Sequence, residues 1–123
     1  MSSDGFDFEG LVRAGYPLRR FREGERIFVE GDDGDDMYVV RSGQVAIISA
    51  GTVLETVNPN ETFGEVSLID GDPRGATAIA RADTEVAVID EQAFRYLVER
   101  NPSFALDLLR RMSRRLRRMN ESM

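Results

Sequence analysis

Residues 63–77 contain the residue types and spacings best suited to binding a charged ligand. Gly64 precedes a short apolar run, which can begin a helical turn whose first backbone N–H groups lack partners and attract anions, phosphate above all. Arg74 follows Glu65 by nine residues, beyond a Gly-Asp-Pro turn that can bring both side chains to one point. Glu65 could then accept from a sugar hydroxyl while Arg74 pairs with phosphate oxygens. The set suits a ligand with vicinal hydroxyls and a phosphate, although a solvated turn cation and an ordinary helix start would have the same sequence.

The composition of the 123-residue chain argues against most enzyme chemistry. The chain has no Cys, no His and no Trp, and all sixteen of its basic residues are Arg. It therefore lacks the thiolate and imidazole metal ligands, the commonest general base and the cysteine nucleophile. We predict no catalytic residues, no metal site and no cofactor. The absence of cysteine, of a secretory signal and of any apolar run of about 20 residues predicts a cytoplasmic protein that does not enter a membrane by itself.

Charge is distributed unevenly along the chain, whose net charge is −6. Residues 1–100 hold 10 Arg against 20 Asp and Glu, whereas residues 101–123 hold 6 Arg against two acidic residues. An acidic body disfavours nucleic acid, because cationic side chains that neutralise phosphates supply most non-specific affinity. We interpret the arginines of the last segment as the solvated flanks of an amphipathic helix, rather than as a DNA-contacting surface. The sequence thus predicts no direct binding to nucleic acid.

Residues 16–90 have the pattern of an antiparallel β domain. Short apolar, β-branched runs alternate with turn residues about every eight to twelve positions, which is typical of a barrel or sandwich rather than of βαβ units. The predicted strands are Arg26–Val29, Met37–Arg41, Gln44–Ser49, Thr52–Val57, Ala76–Ala82 and Glu85–Ile89.

Helical periodicity is confined to the two ends of the chain. Phe6, Leu11 and Val12 indicate a short N-terminal helix. Apolar residues that recur on one face predict a second helix over 91–100, with Asp90 as its N-cap.

The last segment is predicted to be a longer helix, from Ser103 to Met123. Asn101-Pro102 separates it from the preceding helix, because Pro disfavours helix in the residue before it. Its apolar residues recur at alternating spacings of four and three, as in a coiled-coil seam. These residues are Ala105, Leu109, Met112, Leu116, Met119 and Met123. The seam favours a homodimer through residues 103–123, with packing on the chain's own β domain as the alternative.

Three ordered blocks of sequence resemble the cyclic-nucleotide-binding domain family. They are residues 21–32, 34–45 and 63–76, and the resemblance extends over roughly residues 16–116. The family includes sensor domains of bacterial catabolite activators, regulatory subunits of cyclic-AMP-dependent kinase and cyclic-nucleotide-gated channels. The resemblance implies a mainly β fold, an antiparallel, jelly-roll-like β-roll of about eight strands with a short N-terminal helix and two C-terminal helices. It implies one domain over 1–123, divided into an N-terminal segment (1–15), the roll (16–90) with a phosphate-binding cassette (63–77), and the C-terminal helices (91–123).

The resemblance also implies which residues bind the nucleotide. They are Gly64, Glu65, Val66, Arg74, Gly75 and Ala76. The family's ribose-binding Glu corresponds to Glu65 and its phosphate-binding Arg to Arg74, while backbone N–H groups of residues 64–66 complete the phosphate site. Members that prefer cyclic GMP often have Thr directly after the Arg. Gly75 at that position therefore implies cyclic AMP as the ligand, with cyclic GMP less favoured.

These features predict a sensor domain, not an enzyme, in which cyclic-nucleotide binding rearranges the C-terminal helices. Two alternatives stay open. One is a ligand-free oligomerisation or interaction module. The other is the sensor half of a transcription regulator or channel whose effector part is absent, since the chain stops at Met123 before the DNA-binding module of the bacterial activators. A cupin-like enzyme is disfavoured because such sites usually need clustered histidines. The residue that covers the base is expected near Met119 or Asn120, although a coiled-coil role for Met119 is favoured.

Overall fold

The computed structural model describes residues 8–121, which form eight antiparallel strands and four helices. In chain order the elements are α1 (Phe8–Arg13), β1 (Leu18–Phe21), β2 (Arg26–Phe28), β3 (Asp36–Ser42), β4 (Val45–Ser49), β5 (Thr52–Val57), β6 (Thr62–Phe63), α2 (Glu65–Asp70), β7 (Thr77–Ala80), β8 (Thr84–Asp90), α3 (Glu91–Arg100) and α4 (Pro102–Glu121). The described residues fall into two compact units, one made of Phe8–Glu91 and the other of the helical residues from Gln92 onward. The organisation of residues 1–123 as one domain stays a prediction, and Phe6 lies outside the described residues.

The strands of the first unit form two four-stranded antiparallel sheets. Their strand orders are β1-β8-β3-β6 and β2-β7-β4-β5. β3 and β8 pair along most of their length, from Asp36 opposite Asp90 to Val40 opposite Val86. The predicted mainly β fold is confirmed: an antiparallel roll of eight strands, a short N-terminal helix and two C-terminal helices.

Two strands lack the apolar, β-branched runs by which the other six are predicted. β1 exposes three of its four residues, and β6 comprises only Thr62 and Phe63. Some strand ends also differ from the prediction. β7 spans Thr77–Ala80 rather than Ala76–Ala82, because residues 81–83 bend to lead into β8. Such bends are made by only a few residues, so apolar patterning places strand ends less accurately than strand centres.

One cluster of buried residues, contributed by both sheets, forms the core of this unit. Its members are Phe21, Ile27, Tyr38, Val40, Val45, Ile47, Val57, Phe63, Ala78, Ala80 and Val86. The Tyr38 and Phe63 rings stack with their centroids 5.1 Å apart, and the Phe28 ring lies 6.0 Å from Phe63. Because burial contributes about 25 cal/mol per Å² of apolar surface, these large rings tie β2, β3 and β6 together where the cassette begins.

The bounds of α3 and α4 are close to the predicted ones. α3 spans Glu91–Arg100 as predicted, and α4 starts at Pro102, one residue before the predicted Ser103. Pro fits this position because the first helical residue needs no intrahelical N–H partner. Within the helical unit, the Phe94 and Phe104 rings meet edge-on with their centroids 5.9 Å apart.

The predicted apolar seam of α4 is largely accessible to solvent. Leu109 is 61% exposed and Leu116 is 59% exposed, while Met112 is half-buried. The side chain of Met119 and the whole of Met123 lie outside what the structure describes. Within residues 8–121, no helix has both the length and the apolar character that a membrane crossing requires.

Candidate functional site

α2 and the glycine before it form the start of the predicted cassette. Gly64 precedes this six-residue helix and has φ 83°, in the left-handed region that favours glycine. A Cβ at residue 64 would lie 3.0 Å from Arg74 Nη1 and 3.3 Å from Cδ2 of Tyr38. Glycine at this position therefore allows β6 to turn into α2 while the backbone stays in contact with the arginine.

The Arg74 side chain is folded into the protein and is held by three groups. Nη1 donates a 2.7 Å hydrogen bond to the Gly64 carbonyl, and Nη2 donates a 2.7 Å hydrogen bond to the Asp36 carbonyl. Cζ lies 4.0 Å from the centroid of the Phe28 ring, whose face attracts a cation. The guanidinium is thus fixed between β2, β3 and the start of α2.

The Nε–H group of Arg74 has no hydrogen-bond partner among the described residues, although the atom is buried. Leaving a buried donor unsatisfied costs about 1–3 kcal/mol, and more for a charged group, so such donors are rare in folded proteins. Gly34 leaves room beside this atom, since a Cβ there would lie 2.5 Å from Nε and 2.6 Å from Cζ. The arrangement offers a buried, charged donor that an anionic acceptor would satisfy.

Glu65, the first residue of α2, is also buried, and a hydroxyl binds its carboxylate. The Thr62 hydroxyl donates to Glu65 Oε1 across 3.0 Å. Glu65 and Arg74 are therefore held by different partners, yet both meet at Gly64, which precedes Glu65 and accepts a hydrogen bond from Arg74. The structure places the Arg74 guanidinium against the start of α2. That the Glu65 carboxylate faces the same point stays a prediction.

The other predicted site residues differ in exposure. Val66 is 38% exposed, Gly75 is exposed and Ala76 is half-buried. A Cβ at Gly75 would meet no atom within 4 Å. The fold therefore has room for a side chain at residue 75, and the lack of a hydroxyl there is not a steric requirement.

Two ionisable groups near Arg74 are perturbed chiefly by burial. Burial raises the pKa of the Asp36 carboxyl, and Asp90, its partner across the β3–β8 ladder, raises that pKa further. Burial also raises the pKa of the Tyr38 hydroxyl. Arg74 opposes both shifts, because its positive charge favours the ionised forms.

The comparison with known families agrees with this geometry. Residues 18–101 match the family described as "Cyclic nucleotide-binding domain". This chain belongs to that family. The match includes all eight strands, α2 and α3, and therefore the whole cassette.

Two curated relatives of this cyclic nucleotide-binding domain are bacterial proteins named for cyclic AMP. The cyclic AMP receptor protein of Thermus thermophilus is 36% identical over 112 residues, 87% of this chain and 52% of that protein. The CRP-like cAMP-activated global transcriptional regulator of Mycobacterium tuberculosis is 32% identical over 108 residues, 84% of this chain and 48% of that protein. The crystal structure of the Thermus thermophilus catabolite activator protein superposes with a TM-score of 0.80 at 33% identity, covering 93% of this chain and 56% of that one. The chain spans about half the length of the curated relatives it matches.

Four groups that contact Glu65 or Arg74, or leave space beside Arg74, were not predicted from the sequence. They are Thr62, Gly34, the Phe28 ring and the Asp36 carbonyl. Thr62 precedes Glu65 by three residues, a spacing that resembles a capping box and could have drawn attention to it. Gly34 lies in one of the blocks that resemble the family, but its role depends on the position of Arg74. The Asp36 carbonyl gives no local signal, because it lies 38 residues from the arginine that it binds.

One concave surface of the cyclic nucleotide-binding domain shares no lining residue with the cassette. It encloses about 480 Å³ and is lined by Arg20, Phe21, Arg22, Glu25, Ser42, Asp83, Thr84 and Glu85. Its Glu85 carboxylate already accepts hydrogen bonds from Arg20 and Arg41. Its size would suit a nucleotide, but its chemistry is that of an ion-paired sheet surface, so the cassette is the better candidate.

Proposed function

We propose that this domain binds cyclic AMP at the cassette and acts as the sensor part of a regulatory protein, with no catalysis of its own. The proposed ligand-binding residues are Gly64, Glu65, Val66, Arg74, Gly75 and Ala76. Arg74 binds the cyclic phosphate, and backbone N–H groups of residues 64–66 complete the anion site. Glu65 accepts a hydrogen bond from the ribose hydroxyl.

The buried guanidinium of Arg74 is the observation that carries this proposal. Its Nε–H is a buried donor without a partner among residues 8–121, and a phosphate oxygen would satisfy it. The two carbonyls that hold its Nη atoms orient the group without neutralising it, because a carbonyl has no net charge. These two contacts therefore leave the positive charge of Arg74 available to the anion.

Gly75 supports cyclic AMP over cyclic GMP. Glycine has no hydroxyl to contact a guanine amino group, whereas family members that prefer cyclic GMP often have Thr at this position. The two curated relatives compared above are named for cyclic AMP. In both, the matched region is about half of the protein, so the sensor half of a transcription regulator is the second candidate function.

Ligand binding is further proposed to shift the arrangement of α3 and α4, and α4 to pair with α4 of a second copy. A ligand drives such a change only through different affinities for the two arrangements, with typical coupling of about 1–3 kcal/mol. Leu109 and Leu116 lie seven residues apart on α4 and are both more than half exposed. They supply an apolar stripe of the kind that a second helix covers in a coiled coil.

Side-by-side titration with cyclic AMP and cyclic GMP tests the proposal. Because the chain has no Cys, Ser113→Cys provides a unique labelling site on an exposed part of α4. Ser42→Cys provides a matched control label on an exposed residue of β3. We expect tighter calorimetric binding of cyclic AMP, an emission change from the α4 label that exceeds that of the β3 label, and a dimer by sedimentation.

Each failure has a separate meaning. If neither nucleotide binds, the proposed function is wrong and a ligand-free oligomerisation module is favoured. If cyclic GMP binds more tightly, the assignment of the ligand from Gly75 is wrong. If cyclic AMP binds without any change at the α4 label, the proposed coupling to the C-terminal helices is wrong.

A further inference from the structure

Thr62 and Glu65 form a buried polar pair at the entry to the cassette. Thr62 is 2% exposed and Glu65 is 4% exposed, and the Thr62 hydroxyl lies 3.0 Å from Glu65 Oε1. Thr62 belongs to β6, where it lies opposite Val39 of β3 in the antiparallel ladder. Strand pairing therefore fixes the position from which the hydroxyl reaches the carboxylate.

We propose that Thr62 is a positioning residue that sets ribose recognition by orienting the Glu65 carboxylate. The inference rests on the proposed function, in which Glu65 accepts a hydrogen bond from the ribose. Among residues 8–121 the Thr62 hydroxyl is the one hydrogen-bond donor to the Glu65 side chain. It occupies Oε1 and leaves the acceptor capacity of Oε2 for the ligand.

The uncharged hydroxyl of Thr62 is as important to this proposal as its contact with Glu65. A hydroxyl carries no net charge, so the contact with Thr62 orients the Glu65 carboxylate without pairing it with a cation. Glu85 of the same unit shows the contrast, because Arg20 and Arg41 both pair with its carboxylate. An arginine partner would neutralise the acceptor, whereas Thr62 orients it and preserves its charge.

A helix-capping role does not account for this pair. In a capping box the Thr hydroxyl accepts from a backbone N–H three residues later, and the Glu side chain reaches back to the N-cap N–H. Here α2 begins at Glu65 itself, Gly64 is the N-cap, and no side chain caps the helix by a hydrogen bond within the described part of the chain. The Thr62 hydroxyl bonds to the carboxylate, so the contact acts on the orientation of the side chain.

Calorimetric titration with cyclic AMP and 2′-deoxy cyclic AMP tests the proposal on four proteins. These are the unaltered chain, Thr62→Val, Thr62→Ser and the control Thr84→Val. Thr84 is a buried threonine of the same unit whose hydroxyl donates to the Ala82 carbonyl and accepts from the Gln44 N–H, outside the cassette. If Thr62→Val does not fold, Thr62→Ala takes its place. Thermal unfolding of each variant shows how much stability the lost hydroxyl contributes.

We expect Thr62→Val to weaken cyclic AMP binding about tenfold and 2′-deoxy cyclic AMP binding less than about twofold, because the deoxy analogue lacks the hydroxyl that Glu65 accepts from. Thr62→Ser should restore discrimination between the two ligands, and Thr84→Val should retain it even with a lower unfolding midpoint. If Thr62→Val discriminates between cyclic AMP and its deoxy analogue as well as the unaltered chain does, the proposed role of Thr62 is wrong and the proposed function still stands. Absence of binding of either ligand to the unaltered chain would instead overturn the proposed function.

Discussion

Gly34 is the position where a single added methyl group should disturb nucleotide binding most directly. A Cβ at this residue would lie 2.5 Å from Arg74 Nε, 2.6 Å from its Cζ and 2.8 Å from the Cβ of Ser67. Because non-bonded heavy atoms pack at about 3.5 Å or more, the guanidinium would have to move by about 1 Å. Such a shift strains its two 2.7 Å hydrogen bonds to the Gly64 and Asp36 carbonyls.

The expected size of the effect follows from these contacts. Inserting a methyl group into a packed site typically costs about 1–3 kcal/mol, so Gly34→Ala should lower the free energy of unfolding by that amount. At about 4 °C per kcal/mol, the unfolding midpoint should fall by roughly 4–12 °C. Moving the proposed phosphate donor off its position should also weaken cyclic AMP binding by about 10- to 100-fold, which equals about 1.4–2.8 kcal/mol.

Calorimetric titration with cyclic AMP, together with thermal unfolding by circular dichroism, measures both quantities. Gly75→Ala is the matched control for stability, because it makes the same substitution next to Arg74 where the new Cβ meets no atom within 4 Å. Its unfolding midpoint should stay near that of the parent. If Gly34→Ala keeps both the parent's unfolding midpoint and its affinity to within about twofold, the assigned position of the guanidinium is refuted.

Three further predictions concern charged side chains. Arg74→Ala should weaken cyclic AMP binding by about 2–5 kcal/mol, roughly 30- to several-thousand-fold. Arg74→Lys should also lose affinity, because lysine lacks the planar guanidinium fork. Parent-like calorimetric affinity in either variant would contradict the assignment of Arg74 to the phosphate. The pKa of Asp36 is raised by burial and by Asp90, so ionisation disfavours the folded state and Asp36→Asn should increase the free energy of unfolding at pH 7. That gain should shrink as the pH falls toward about 4, where the unfolded-state carboxyl also takes up its proton, and urea titrations over this range would show the opposite trend if the reasoning is wrong. Hydrogen bonds from Arg41 and then Arg20 lower the pKa of Glu85, so its stabilisation is present above about pH 4.3 and is lost as the pH falls through the lowered pKa. Both arginines are largely exposed, so Glu85→Gln should cost about 1 kcal/mol or less per pair at pH 7, and a cost unchanged at pH 2 would rule out the ion pairs as its source.

Local sequence pattern is sufficient where neighbouring residues decide the structure. The apolar periodicity of residues 91–100 predicts α3 with its observed bounds, and the alternation in Thr52–Val57 does the same for β5. β1 has no such pattern, because its strand conformation depends on pairing with β8, where Leu18 lies opposite Ala87. A strand defined by its partner, with three of its four side chains exposed, has little apolar signal of its own.

The same division applies to the candidate site. By itself the sequence determined the family, through three blocks that resemble it. Residue types at short spacing predicted the candidate pair Glu65 and Arg74, and the bounds of the cassette stay a prediction that the resemblance implies. Only the tertiary structure decided that the Asp36 carbonyl orients Arg74, that Gly34 leaves room for it, and that Thr62 holds Glu65. The physical reason is that strand pairing and chain reversal bring these groups together. Every residue has a backbone carbonyl, and a glycine can leave space for any neighbour, so neither feature shows along the chain which side chain it will contact.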